Sequence, residues 1–147
     1  MPSLKMGRGQ VGFTVARSYK TTLEKAWNGA TQAKHLKKFF VDKVSSDFTP
    51  EVRSVVWEWK GYEQAHLYIT ACKPKEFVEF HWKAEGVKYH TCVRLEFARI
   101  RGRVLLTITE QGWTNADVKS AFAHCTGWTD FVDYLKAYLI YGLDFRK

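Results

Sequence analysis

Four consecutive strand-like runs, each apolar on one side only, confine this chain to a small set of folds. Leu67, Ile69 and Ala71 share a side. So do Val78, Phe80 and Trp82, then Val93, Leu95 and Phe97, then Val104, Leu106 and Ile108. The opposite sides carry His66, Tyr68 and Thr70, then Glu79 and His81, then His90, Cys92, Arg94 and Glu96. Period-two alternation of this kind makes an antiparallel sheet with one apolar and one wet face. Turn-forming stretches, among them "KGYE", "PKE", "AEGV" and "RIRGR", separate the runs, and "RSVVWEW" ahead of them is a further strand. The apolar face has to be covered by something long.

The segment "GWTNADVKSAFAHCTGWTDFVDYLKAYL", Gly112 to Leu139, meets that need. Its spacing predicts one helix from about residue 115 to 141, roughly 40 Å at 1.5 Å per residue. Thr114 or Asn115 can cap it, and Asp117 suits the positive first turn. On a helical wheel Ala121, Cys125, Trp128, Val132 and Leu139 centre the apolar face, with Phe122, His124 and Leu135 on its flanks. Lys119, Thr126, Asp130, Asp133 and Ala137 lie opposite. His124 and Cys125 point about 100° apart, so they are poorly placed to clamp one metal. Cys125 reads as a small buried filler. Gly127 costs about 1 kcal/mol relative to Ala in a helix interior, and spacing alone supplies no reason for it.

Upstream, Val11 to Tyr19 alternates as a strand. Thr22 can cap a short helix containing Trp27, Gly29 is read as its break, and a second helix covers about Thr31 to Phe39. Residues 1–10 are read as a loose arm and 11–147 as a single domain. His81 and His90 fall on the outer face and are expected to be exposed.

Composition excludes several classes. Hydrophobic residues make up 46% of the 147 and aromatics 16%, enough for a real core. No run reaches the roughly 18 apolar residues of a membrane helix, and the opening "MPSLKMGRGQ" lacks a secretory apolar region. Membrane insertion is therefore not expected, and a cytoplasmic location is. Cys72, Cys92 and Cys125 are odd in number and contain no CxxC pair, so reduced thiols are expected, with no metal and no other cofactor. The net charge is +8, concentrated locally in "KHLKK" and "RIRGR". Solvated helix and turn charge explains both. The aromatics sit in apolar patterns rather than beside a basic stripe, so specific nucleic-acid binding is not expected. Attraction to an acidic membrane or an acidic partner protein stays open.

Four stretches in order carry a resemblance. They are "VARSYKTTLEKAWNGATQAKHLKKFF" with Val15, Arg17, Trp27 and Leu36, "CKPKEFVEFHW" ending in Trp82, "RVLLTITEQGW", and "AHCTGWTDFVDYLKAYL" with His124, Gly127, Trp128, Leu135 and Leu139. Over about residues 11–141 the chain resembles the activator-of-Hsp90-ATPase homologue-1-like family of the START/Bet v 1-like superfamily. The resemblance implies an α+β helix-grip fold: a curved antiparallel sheet wrapped around a long C-terminal helix, with two short helices after the first strand. The chain departs from the family at Phe39 and Phe40, where a Trp pair is frequent, and at Val132, where Leu is. Members of the wider group bind lipids, sterols, polyketides or hormones, and some cyclise or dehydrate polyketides. The family name comes from a co-chaperone, which suggests a stress-response setting.

The expected site is an apolar cavity between sheet and helix, lined by Trp57, Trp59, Phe80, Trp82, Phe122, His124, Cys125, Trp128, Thr129 and Val132. A small apolar ligand, lipid-like or polyketide-like, is the leading expectation. An enzyme of cyclase or dehydratase type would need an inward acid or base, and only His124, Thr129 and Tyr134 are offered. A co-chaperone-like protein-binding module is the third reading, helped by the positive charge.

Overall fold

The computed structural model describes residues 4–146. In chain order it runs β1 (Val11–Tyr19), α1 (Leu23–Thr31), α2 (Ala33–Phe39), β2 (Lys43–Val44), β3 (Ser54–Glu58), β4 (Ala65–Lys73), β5 (Phe77–Lys83), β6 (His90–Ile100) and β7 (Arg103–Trp113). A 3-10 turn at Asn115–Asp117 leads into α3 (Val118–Tyr141). The strands form one antiparallel sheet in the order β1-β7-β6-β5-β4-β3-β2. Helices α1 and α2 carry the chain from one edge strand to the other. This is the helix-grip architecture, with the sheet curved around α3.

The inward residues of β5, β6 and β7 are those that the alternation selects. Val78, Phe80, Val93, Leu95, Val104, Leu106 and Ile108 are all essentially unexposed. The β6–β7 turn places Arg101 at φ 51° and Gly102 at φ 77°, the two positive values that a tight hairpin of matching twist requires. In β4 a bulge between Ile69 and Ala71 reverses the alternation. Cys72 therefore pairs with Val78 and packs on the core, whereas Ala71 sits opposite Glu79. The expected alignment of Ala71 with Leu67 and Ile69 fails for this reason.

Helix α3 rests on β1 and β7 and against α1 and α2. Over β3 to β5 the space beneath it is filled by rings. Trp57 lies 6.3 Å from Trp128 and 6.4 Å from Phe131, and Phe80 lies 5.4 Å from Trp82, centroid to centroid. The buried face of α3 is Ala121, Trp128, Phe131, Val132 and Leu135, turned from the expected centre towards Phe131. Ala137, expected to face solvent, is buried. The chain beyond the helix folds back there, with Leu143 N–H donating to the Ala137 carbonyl. Farther along, Arg146 donates to the carbonyls of Val41 and Lys37.

Two local expectations change at the start of the chain. Gly29 does not break α1 but lies inside it, buried. A Cβ there would come within 3.0 Å of Leu139 Cδ2 and 3.2 Å of Leu135 Cδ1, so glycine is what lets α1 approach α3. The helix ends instead at Gln32, which is extended, while Thr22 caps its start by accepting from Lys25 N–H. Of the ten residues read as a loose arm, Lys5 to Gly9 run beside β6 and β7. His90 N–H donates to the Lys5 carbonyl, Gly7 N–H to His90, and Gly9 N–H to Gly112. Met1 to Ser3 lie outside the described residues.

The buried Tyr19 hydroxyl donates to the Val132 carbonyl at 2.8 Å and pins β1 to α3. Burial raises the phenol's pKa, so it keeps its proton at every ordinary pH. Tyr19→Phe is expected to lower stability by about 1 kcal/mol, seen as a lower urea midpoint with an unchanged slope. An unchanged midpoint would mean that the bond contributes nothing.

Candidate functional site

The alternation that buries Val104, Leu106 and Ile108 continues one step further, to Glu110. A carboxyl group thus enters the apolar side of the sheet with no exposure at all. Burying an unpaired charge is prohibitive, and the surroundings answer with donors. Trp82 Nε1 (2.9 Å), Thr91 Oγ1 (2.6 Å) and His124 Nδ1 (2.8 Å) converge on Glu110 Oε2. Trp128 Nε1 reaches Oε1 at 2.8 Å. The indole nitrogens can only donate, so this is the donor set of a carboxylate.

The tautomer of His124 follows from its other nitrogen. The backbone N–H of Glu85 donates to His124 Nε2 at 3.0 Å. A backbone N–H cannot accept, so Nε2 is the acceptor, Nδ1 carries the proton, and that proton points at Glu110. The imidazole is held edge-to-face by Trp82 (5.4 Å) and Trp113 (5.1 Å). Its side chain keeps 9% of its surface exposed, and that remainder faces a cleft.

The cleft measures about 1060 Å³. Its inner wall is Trp59, Trp82, His124 and Trp128 with Phe40, and its rim includes Tyr62, His66, Tyr68 and Glu85. It opens where two neighbouring strands part: the β4–β5 ladder begins only at Tyr68–His81, leaving Ala65 to Leu67 and Trp82 to Lys83 unpaired with each other. On the helix side the wall is Ala123 and Gly127. A Cβ at Gly127 would meet nothing within 4 Å. The glycine that spacing could not explain is thus a bare stretch of helix backbone facing open space.

Of the residues expected to line a cavity, the fold brings Trp59, Trp82, His124 and Trp128 to this cleft. Trp57, Phe80 and Val132 lie wholly within the packed core instead. Phe122 is 66% exposed, because the buried face of α3 is centred nearer Phe131 than the wheel had it. Cys125 and Thr129 are half-buried and off the cleft, with Thr129 Oγ1 donating to the Cys125 carbonyl. His90, expected on the surface, is half-buried and lines the cleft beside Tyr68 at 5.9 Å. Burial lowers its pKa, helped by His81 and Lys83. His81 is half-buried on the outer face, and burial lowers its pKa too.

Sequence reasoning missed Glu110, Thr91 and the role of Glu85. Parity alone could have found Glu110, since it stands two residues beyond Ile108. Among the described residues no three His, Cys, Asp or Glu side chains gather as a metal site, and no helix is long and apolar enough to cross a membrane.

A family described as activator of Hsp90 ATPase homolog 1-like protein matches residues 20–140. No curated protein matches the chain. Among solved structures, protein SSP2350 from Staphylococcus saprophyticus is similar with a TM-score of 0.78 and 16% identity, over 91% of this chain and 95% of that one. The Aha1 dimer from Colwellia psychrerythraea gives 0.75 and 20%, over 90% and 98%. DynU16, of the dynemicin biosynthetic locus, gives 0.78 and 20% over 89% of this chain but only 48% of its own. At these identities the likeness is one of fold.

Two measurements probe the site. Glu110→Gln sets an amide NH2 against an indole N–H, of Trp82 or of Trp128, that can only donate, and is expected to cost about 2–4 kcal/mol in urea unfolding at neutral pH. A smaller loss would mean that the four donors find other partners. Burial first, then the Glu79 carboxylate beside it, pushes the Cys92 thiol up to about 11. The folded state therefore favours the thiol over the thiolate, and this group's contribution to stability falls as pH rises above its ordinary 9.0 towards 11. At pH 8 Cys92 is expected to resist iodoacetamide in the native protein and to react once unfolded, as read by peptide mass spectrometry.

Proposed function

Since the chain belongs to the family of activator of Hsp90 ATPase homolog 1-like proteins, we propose that its working part is the cleft of this helix-grip fold and that it binds small apolar molecules there. The observation that carries the reading is the inner wall, Trp59, Trp82, Trp128 and Phe40 with His124 among them, in a cleft of about 1060 Å³ whose lining also includes His66, Tyr68, Glu85 and His90. Ligand pockets have this size and makeup, mostly aromatic wall with a few placed polar atoms. The wall is preformed, since Trp82 and Trp128 are held by Glu110 and Trp59 Nε1 donates to the Phe40 carbonyl at 2.8 Å. A guest meets rings already fixed in place and pays little to order them. Cytoplasmic residence, with Cys72, Cys92 and Cys125 as free thiols, is part of the same proposal.

One observation favours a second reading, an acid–base enzyme acting in the same cleft. A neutral imidazole whose Nδ1–H is held by a buried carboxylate is how many general bases are oriented. The Glu85 N–H has to leave Nε2 for either role, whereas the aromatic wall serves binding whether or not a proton moves, so binding takes precedence over catalysis.

The test uses the open space at Gly127. Leucine there projects into the cleft and also replaces a poor helix former, so Gly127→Leu is expected to keep or raise the melting temperature. The neutral fluorescent probe N-phenyl-1-naphthylamine is expected to brighten with the wild type and not with the variant. Equal brightening with both would place probe binding elsewhere and sink the proposal.

A further inference from the structure

The polar atoms of the inner wall are unevenly available. The indole N–H groups of Trp59, Trp82 and Trp128 are all spent on protein acceptors, the first on the Phe40 carbonyl and the other two on Glu110. What these three residues offer a guest is carbon. His124 differs, because its Nε2 lone pair points away from Glu110 and its present donor is the backbone of Glu85. Glu85 is exposed, so water can take up its N–H when a guest displaces it from Nε2. Glu110 fixes the proton on Nδ1 and so keeps Nε2 an acceptor.

Resting on the binding proposal above, we infer that the cleft selects, among apolar molecules of its size, those that carry a neutral hydrogen-bond donor such as a hydroxyl, and that His124 Nε2 is the atom that selects them. The guest's O–H replaces the Glu85 N–H on Nε2, while its apolar body lies against Trp82 and Trp128. A guest of the same shape lacking the donor either leaves Nε2 with Glu85, and is held off, or strips it of any partner. Leaving a buried acceptor bare is the costlier side of hydrogen bonding. The carboxylate behind the imidazole also makes the site a poor host for anions. Glu110 acts through His124 and is a positioning residue.

The experiment compares 2-naphthol with 2-methoxynaphthalene by isothermal titration calorimetry, on the wild type and on His124→Phe. A wall that offered carbon alone would favour the ether, the more hydrophobic of the two. The expected result is the reverse in the wild type, with the naphthol about tenfold tighter, and loss of that preference in His124→Phe. A second reading uses the wild type alone and so survives any misfolding of the variant. In its amide 1H–15N spectrum the Glu85 resonance is expected to shift with bound naphthol and to stay in place with bound ether. Equal or tighter binding of the ether, or a Glu85 resonance unmoved by bound naphthol, overturns the selection by His124 while leaving the apolar cleft intact. Binding of neither compound to the wild type overturns both proposals together.

Discussion

A single buried carboxylate sets the geometry of one whole end of this protein. Glu110 stands on β7 and receives donors from β5 through Trp82, from β6 through Thr91, and from α3 through His124 and Trp128. Three neighbouring strands and the helix that crosses them are tied to one group. Water has been replaced by four fixed dipoles, each strengthened by the low polarity around it. Such a network tolerates no partial version, because a missing donor leaves charge bare and a missing acceptor leaves several donors bare at once. Its return is orientation: two indoles and an imidazole whose rings cannot turn.

Behind that end the interior is solid. Phe40 lies 4.9 Å from Phe131, and Phe48 is stacked on Phe80 at 5.8 Å. Trp57 touches rings on nearly every side, and its Nε1 is buried without a hydrogen-bond partner. An orphaned donor of this kind costs about 1–3 kcal/mol, which the surrounding ring contacts, at about 0.5–1.5 kcal/mol each beyond area burial, can offset. The fold resemblance implies an apolar cavity between sheet and helix. In this chain Trp57, Phe80 and Val132 are packed in the core, and the open space lies where β4 and β5 part.

What the sequence disclosed and what it hid divide along physical lines. Periodicity is a local property, so the strands and the long helix were legible, and Val78, Phe80, Leu95 and Leu106 lie inward as their alternation requires. The bulge at Thr70 was not, because an extra residue in one strand of a pair changes parity without changing composition. Gly29 looked like a helix break because the close approach of α1 to α3 is a tertiary fact. Four of the ten residues expected at the cavity do border the cleft, and His124 was among them. Its partner was passed over, since a glutamate near the end of a strand ordinarily points to water. Only the convergence of Trp82, Thr91, His124 and Trp128 explains Glu110, and no sequence pattern brings those four together.

The parting of β4 and β5 bears on time as well as on space. In a barrel closed all round, a guest exchanges only when a helix lifts or a strand peels, so its residence is set by how seldom the core opens. Here the aperture is a seam in the sheet, rimmed by Tyr62, His66 and Glu85 rather than by core residues. Trp57 itself does not line the cleft, and the Tyr19 bond to α3 lies elsewhere on the helix, at Val132. If the cleft binds as proposed, entry and exit there require only side-chain and loop motion, nanoseconds to microseconds for such steps, and no opening of the core.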